Sequence, residues 1–340
     1  MIYRSRAPLR IGLAGGGTDV SPYSDLYGGA ILNATISLFA HANIEPIDEK
    51  KIIVQALDRH EEQHYDWANE LPINGELDLL KGVYNRIQKD YGVPLPGFKL
   101  STFVDAPAGS GLGTSSTLVV AIIGAFAEML KLPLGEYDIA HYAFDIERKD
   151  LDLAGGKQDQ YAATFGGVNF MEFYEGDKVI VNPLRINQQY LNELENNLVL
   201  YFTATSRESA TIIKEQMKNV NQKNDKSIEA MHQLKEQARM MKEAMLKGRL
   251  HEIGEILDFG FQQKRQMAAN ISNSSLEEIY EAAKKAGATG GKISGAGGGG
   301  FMIFYCPGNS RYKVIETLEQ FGGVTRPYQF VQTGLNTWGV

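Results

Sequence analysis

A single cysteine, Cys306, stands among 340 residues, so no internal disulfide can form, and a reducing cytoplasm is the simplest home. Long apolar runs are also missing. The longest, 118–127, ends at Glu128 and is about half of a membrane span. Arg4, Arg6 and Arg10 are followed by no long apolar core, which argues against a secretory signal. Positive charge is scarce: 34 Lys and Arg against 41 Asp and Glu leave a formal net charge of -7. That balance argues against a general nucleic-acid or anionic-membrane surface, and an anionic ligand would need cations gathered locally. Repeats and low-complexity segments are absent apart from glycine runs. The remainder, 43% hydrophobic and 22% charged residues, is ordinary for a globular protein of a length suited to two domains.

The stretch that organises the chain runs from Asp105 to Thr117 and reads Asp-Ala-Pro-Ala-Gly-Ser-Gly-Leu-Gly-Thr-Ser-Ser-Thr. A β-rich run over 98–104 leads into it, and the apolar run 118–127 leaves it with a helical reading. Strand, glycine-rich loop and helix, in that order, aim unpaired backbone N–H groups at an anion. Gly109, Gly111 and Gly113 lack the Cβ atoms that would block a phosphate, and the helix start adds the positive end of its dipole. Pro107, Ser110 and Leu112 complete the loop, while Thr114, Ser115 and Ser116 offer hydroxyls to phosphate or magnesium. A Gly/Ser turn that only caps a buried helix is the plainer alternative. Two better-known nucleotide loops are excluded by spacing. No lysine occurs between Lys99 and Lys131, which removes a Walker loop, and the alternating glycines do not form Gly-x-Gly-x-x-Gly.

This stretch resembles the second signature of the GHMP small-molecule kinases. Counterparts of the other two signatures follow in family order: Ala-Pro-Leu-Arg-Ile-Gly-Leu-Ala-Gly-Gly-Gly-Thr-Asp over 7–19, and Lys-Ile-Ser-Gly-Ala-Gly-Gly-Gly-Gly-Phe over 292–301. Residues 15–23 and 155–161 look most like the branch that acts on heptose phosphates. The resemblance implies an α+β fold in two parts. An N-terminal half like ribosomal S5 domain 2 would span 1–190 and a ferredoxin-like C-terminal half 191–340, with the site in the cleft between them. It also implies ATP and Mg2+, and transfer of the γ-phosphate to the anomeric hydroxyl of a heptose 7-phosphate.

By the same resemblance, Ser115 and Glu147 hold the metal, Asp159 faces the acceptor hydroxyl, and Arg10 stands beside Asp159. Thr18 and Asp19 would meet the sugar, and Gly297 and Gly298 of the third signature would lie beside the phosphates. Gly16 and Gly17 occupy the place where galactokinases carry Glu-His, which turns the reading away from galactose. Taken without the resemblance, Glu147 next to Arg148 and Lys149 reads as a solvated helix end. Asp159, after two glycines that allow close backbone approach, is the carboxylate favoured for catalysis over Asp152. A doubly charged acceptor on an acidic protein needs a cation, and Lys157 is the first candidate, ahead of Arg148 and Lys149.

Elsewhere, 2–14, 30–47 and 51–58 read as strands, and 77–91 as a helix ended by Pro94 and Pro96. Residues 134–149 read as helical, 151–159 as a glycine-broken loop, and the polar stretch 182–195 as a domain boundary. A strand over 197–203, a helix over 206–217 and two amphipathic helices broken near Gly248 follow, with methionines that fill a core. Ser275 and Glu278 form a capping box for a helix stopped by Gly287, before a strand at 300–305 and a helix at 311–320. His60 and His64 fit His-Glu-x-x-His, the pattern of a zinc hydrolase, but strand-like flanks favour a polar hairpin tip. Other rivals are a kinase for galactose, fucose or a mannose-type sugar, and a non-catalytic sugar sensor that would have lost a metal or catalytic group. The expected partners are small molecules only, ATP and a sugar phosphate.

Overall fold

Leu9, Ile11 and Leu13 alternate along strand β1 (Tyr3–Ala14) and enter one core on one face of the strand. The computed structural model describes residues 1–92, 95–205 and 209–340; Pro94 and the expected helix start at 206–208 lie outside them. A short helix α1 (Tyr23–Tyr27) leads from β1 to β2 (Gly29–Ile47), long enough to pair with three strands. Then come β3 (Lys51–Ala56), β4 (Glu61–Asp66), α2 (Asp78–Tyr91) and β5 (Gly97–Val104). After the glycine loop the chain forms α3 (Thr114–Leu130), α4 (Glu136–Asp145), a π-helical turn (Ile146–Asp150) and α5 (Gln158–Phe165). Strands β6 (Val168–Phe173) and β7 (Val179–Pro183) close this half.

The first sheet runs in the order β12-β1-β2-β5-β3-β4, with β6 and β7 added beside the first part of β2. β3 and β5 pair in parallel and the other pairs are antiparallel. Helix α3 is apolar all round because it is covered all round: it packs on β1 and β2, and α2, α4 and α5 flank it. That burial fixes the helix start at the cleft.

The rest of the chain contributes α6 (Gln188–Asn197), β8 (Leu198–Phe202), α7 (Ser209–Asn221), α8 (Asp225–Leu246) and α9 (Ile253–Lys264). It ends with α10 (Ser274–Ala286), β9 (Gly290–Ile293), β10 (Phe301–Tyr305), α11 (Ser310–Glu319), β11 (Val324–Thr325) and β12 (Asn336–Gly339). The second sheet, β11-β8-β10-β9, is antiparallel and rests on α10 and α11 through Tyr280, Ala283, Phe304 and Val314. Among the described residues no helix is long and apolar enough to cross a membrane.

Four expectations gain structural detail. Strand pairing and core packing run across the expected division at 190/191. β12 pairs with β1, and Leu9, Ile11, Met241, Leu257 and Ile303 share one core. The polar stretch 182–195 is largely the helix α6 rather than a linker. The cap of α10 is Asn273, whose side chain accepts the Leu276 N–H at 3.1 Å, so Ser275 lies inside the first turn. Finally, His64 sits on β4 and His60 at the hairpin tip, and His64 turns to Glu62 at 2.6 Å. No cluster of three metal-ligating His, Cys, Asp or Glu side chains exists among the described residues, and the hairpin reading stands in place of the zinc site.

Candidate active site

The left-handed turn at Gly113 ends the glycine loop and starts α3, and no side chain caps that start. The N–H groups of the first turn therefore open into the cleft with the positive helix end behind them. A cavity of about 670 Å³ faces them, lined by Gly109, Gly111, Gly113, Thr114, Ser115 and Ser116 together with Arg10, Glu147 and Asp159. Three loop residues have a different task. Ser110 closes a turn on the Pro107 carbonyl and accepts the Phe301 N–H, while the Leu112 carbonyl accepts the Arg10 N–H at 3.2 Å. Pro107, Ser110 and Leu112 thus anchor the loop and leave its glycines and hydroxyls to face the ligand.

Arg10 of the first signature meets Asp159 in an ion pair and the second signature in a hydrogen bond. Arg10 is buried on β1, and its Nε donates to Asp159 Oδ1 at 2.6 Å while Nη1 donates to the Gly111 carbonyl at 2.6 Å. Asp159 lies in the first turn of α5, so the glycine-broken loop ends earlier than its composition suggests. A Cβ on Gly113 would stand 3.0 Å from the Asp159 carboxyl carbon, which places that carboxylate directly against the phosphate loop. The second and third signatures meet as bare backbone. Gly111 has φ +83, and a Cβ there would fall 2.4 Å from the Ser294 carbonyl oxygen. Ser294 Oγ also donates to the Gly111 carbonyl at 2.8 Å.

Glu147 owes its position to the π-helical turn, whose extra residue per turn swings it inward, against the surface reading. Burial raises its pKa, opposed by Arg148, Ser116 and Gln160. Gln160 Nε2 donates to its carboxylate and to Ser116 Oγ, and the buried Gln160 Oε1 has no partner. Ser115 is exposed on the neighbouring wall of the same cavity. Hydroxyl, carboxylate and amide oxygens form a donor set of hard ligands, which suits Mg2+ and not zinc.

Several expected sugar contacts are corrected. Thr18 is fully buried, and its hydroxyl is engaged with the backbone of Gly15 and Ala30, so it shapes the turn. Asp19 is better placed. Its Oδ2 accepts the N–H groups of Lys157 at 2.9 Å and Gln158 at 3.0 Å, capping α5, and it lines an adjoining cavity. Gly297 and Gly298 turn toward Ile271, and Gly295 and Ala296 are the residues of the third signature that face the cleft. Lys157 is buried with its ammonium 3.1 Å from both Asp25 and Asp177, so it is already matched by two carboxylates. It is not the free cation a phosphate requires.

Two lysines were missed. Lys292 Nζ donates to the Gly12 carbonyl at 2.8 Å, and Lys264 donates to that of Gly295. Both ammonium groups lie within 4 Å of the position a Cβ on Gly16 would take. Burial, with Arg10 nearby, lowers the Lys264 pKa to about 8, and burial beside Lys264 depresses Lys292 further. Lys292 opens the third signature and was visible there. Lys264 ends a helix, where a lysine also serves the helix dipole, and nothing in the pattern sets it apart.

Known proteins resemble this chain over nearly its whole length. The model of the GHMP kinases N terminal domain matches residues 78–167, and that of the GHMP kinases C terminal domain matches 241–324. The chain is 47% identical over 337 residues to D-glycero-alpha-D-manno-heptose 7-phosphate kinase of Campylobacter jejuni, covering 99% of each chain. A crystal structure of a D-glycero-D-manno-heptose 1-phosphate kinase from Bacteroides thetaiotaomicron superposes with a TM-score of 0.85 at 46% identity, covering 99% of both. Lactococcus lactis galactokinase complexed with galactose has a TM-score of 0.77 at 19% identity, covering 98% of this chain and 95% of that one, and shares the fold.

Proposed function

The chain belongs to the GHMP kinases, and from that premise we propose that it transfers the γ-phosphate of ATP to the anomeric hydroxyl of D-glycero-D-manno-heptose 7-phosphate. The product is the 1,7-bisphosphate, an activated precursor for nucleotide-heptose and surface-polysaccharide synthesis. The observation that carries the reading is the Arg10–Asp159 pair, 2.6 Å long, seated against the glycine loop. It sets a carboxylate and a guanidinium where an acceptor hydroxyl and a γ-phosphate would meet. The two heptose kinases named above differ in which phosphate their names carry; the 7-phosphate leaves the anomeric oxygen free to attack.

In this mechanism the loop N–H groups and the hydroxyls of Thr114 and Ser115 hold the phosphates. Asp159 accepts the hydrogen bond of the attacking hydroxyl and is the group within reach of its proton. The anomeric oxygen bonds to the γ-phosphorus as the bond to the β-phosphate oxygen breaks, and ADP leaves. Arg10 offsets charge on the moving phosphoryl group and holds Asp159 in line. Ser115, Glu147 and Gln160 would hold the magnesium ion, whose chemistry is to neutralise the β- and γ-phosphate oxygens. A separate cavity of about 610 Å³, lined by Trp67, Ile73 and Leu151, is the assigned place for the purine, because Leu151 continues the segment that bears Glu147.

The test is ATP-dependent turnover of a panel of sugars and sugar phosphates, by wild type and by Asp159→Asn. The reading requires heptose 7-phosphate to lead the panel. It also requires the variant to lose more than ten-fold in rate, above about 1.4 kcal/mol of barrier, while its ATP affinity is retained. Better turnover of galactose would overturn the substrate, and an active variant would overturn the role of Asp159.

A further inference from the structure

A second cavity, of about 240 Å³, adjoins the one at the phosphate loop, and Arg148 lines both. Its walls come from two parts of the chain: Asp19, Arg148 and Asp152 from the first half, and Lys214 and Met217 on α7 from the second. We propose that Arg148 and Lys214 form the subsite for the phosphate that the acceptor already carries, a sugar-phosphate dianion bridging the two halves. This rests on the kinase reading above and specifies how its substrate is chosen.

Charge matching selects these two groups. Lys157 borders the same cavity but is already matched by Asp25 and Asp177, the latter also paired with Lys149 at 3.6 Å, so it is not free for a dianion. Lys264 and Lys292 donate to backbone carbonyls and lie under the Gly16 turn, outside this cavity. Arg148 is held as part of the wall. Its Nη1 and Nη2 donate to the carbonyls of Leu153 at 3.2 Å and Gly156 at 3.3 Å, and its buried Nε–H has no acceptor. Glu147, 3.8 Å from the same guanidinium, pairs with it as an ion but lies too far for a hydrogen bond. Lys214 is exposed at the mouth, and among the described residues it forms no ion pair, Asp152 included. The remaining carboxylate of the wall, Asp19, is turned to the N–H groups at the start of α5.

Geometry supports the same assignment. Asp159 lines the first cavity, Asp19 the second, and Arg148 both. An acceptor with its anomeric hydroxyl at Asp159 and its ring beside Asp19 has its far end in the smaller cavity. That end of a heptose 7-phosphate is its phosphate. A sugar without a phosphate would leave Lys214 unmatched there and Arg148 paired only at 3.8 Å with Glu147, so the subsite is also a filter.

Lys214→Ala and Lys214→Glu test the assignment, since an exposed lysine can be replaced without harm to the fold. Each variant is assayed with heptose 7-phosphate and with the unphosphorylated heptose, alongside the KM for ATP. A hydrogen bond to a charged group corresponds to a loss on the order of 10- to 100-fold in kcat/KM for the phosphorylated sugar. The expected result is that loss, larger for Lys214→Glu, with the free heptose and the ATP KM nearly unchanged. Arg148→Lys, its folding checked by thermal melting, should shift the same ratio in the same direction. Equal losses on both sugars, or an unchanged ratio in every variant, would overturn the subsite while leaving the kinase reading intact. Failure of wild type to use heptose 7-phosphate would instead overturn the substrate reading, and the subsite with it.

Discussion

The Gln158 N–H donates to the carboxylate of Asp19 at 3.0 Å, across 139 residues of chain. Gln158 precedes Asp159, so the residue expected to meet the sugar also fixes the first turn of the helix that carries the catalytic carboxylate. On the proposed reading, acceptor binding and catalysis are built as one piece. The arrangement has an electrostatic cost: burial, then the charge of Asp159, raises the Asp19 pKa above its ordinary 3.8, against the N–H of Gln158, its own backbone N–H and Arg10.

Asp19→Asn and Asp19→Ala should therefore separate two roles. The amide oxygen of Asn still accepts the N–H groups but carries no charge. A carboxyl whose folded pKa is raised adds stability only below its unfolded pKa, and that stability is lost as pH rises through the folded value. Asp19→Asn should thus melt at or above the wild-type temperature at pH 7, the gap closing toward pH 3.8, while acceptor KM rises. Asp19→Ala removes the cap, and should cost about 0.5–2 kcal/mol and lower kcat as Asp159 shifts. Thermal melts across pH and steady-state kinetics decide; a low-melting Asn variant at pH 7 would contradict the burial argument.

Gly111→Ala should damage both loop and fold. The new methyl would fall 2.4 Å from the Ser294 carbonyl at a backbone φ of +83, so the second and third signatures would have to part. Strain of this kind is worth about 1–3 kcal/mol before the clash is counted. A lower melting temperature together with lost nucleotide affinity is expected, measured by calorimetry. Gly308→Ala, at φ +60 with open space around it, is the control for strain alone.

Lys264 supplies a prediction at alkaline pH. Its folded pKa, about 8, lies below the ordinary 10.5, so the folded state binds fewer protons between those values and stability rises across that window. Lys264→Met removes this rise. Its melting temperature relative to wild type should fall steadily from pH 8 to pH 10.5. A pH-independent difference would mean that the buried ammonium keeps its charge by other contacts.

How much of this was legible can be argued residue by residue. The loop at 109–116 and the helix after it were readable because glycine spacing and an unbroken apolar run are local signals. Arg10 and Asp19 came from resemblance, and Asp159 from resemblance together with the two glycines before it; no local pattern marks what any of the three touches. Their partners lie 101, 138 and 149 positions away, respectively. Lys157 misled because proximity along the chain says nothing of Asp25 and Asp177, which reach it from α1 and from the turn before β7. The surface reading of Glu147 failed for a related reason. A π-turn has no composition of its own, and one extra residue changes which side chain faces inward.

That inward turn of Glu147 leads to the last prediction. If Glu147, Ser115 and Gln160 hold the magnesium ion, replacing one oxygen donor should weaken the ion without unfolding the protein. Gln160 Nε2 donates to Glu147 and Ser116, so Glu147→Gln keeps an oxygen acceptor in place and removes only the charge. Burial of that charge is unfavourable, and the apo variant should melt no lower than wild type. Magnesium with a non-hydrolysable ATP analogue should stabilise wild type by the ordinary linkage of ligand to folding. The same addition should raise the melting temperature of Glu147→Gln and Ser115→Ala much less, and the metal concentration for half-maximal turnover should increase. Ser116→Ala provides the contrast, because its hydroxyl is buried and engaged with Gln160 and Glu147, whereas that of Ser115 is exposed. It should alter stability more than metal demand. Wild-type metal titrations in Glu147→Gln and Ser115→Ala alike would remove both residues from the metal site and leave the ion to the phosphates themselves.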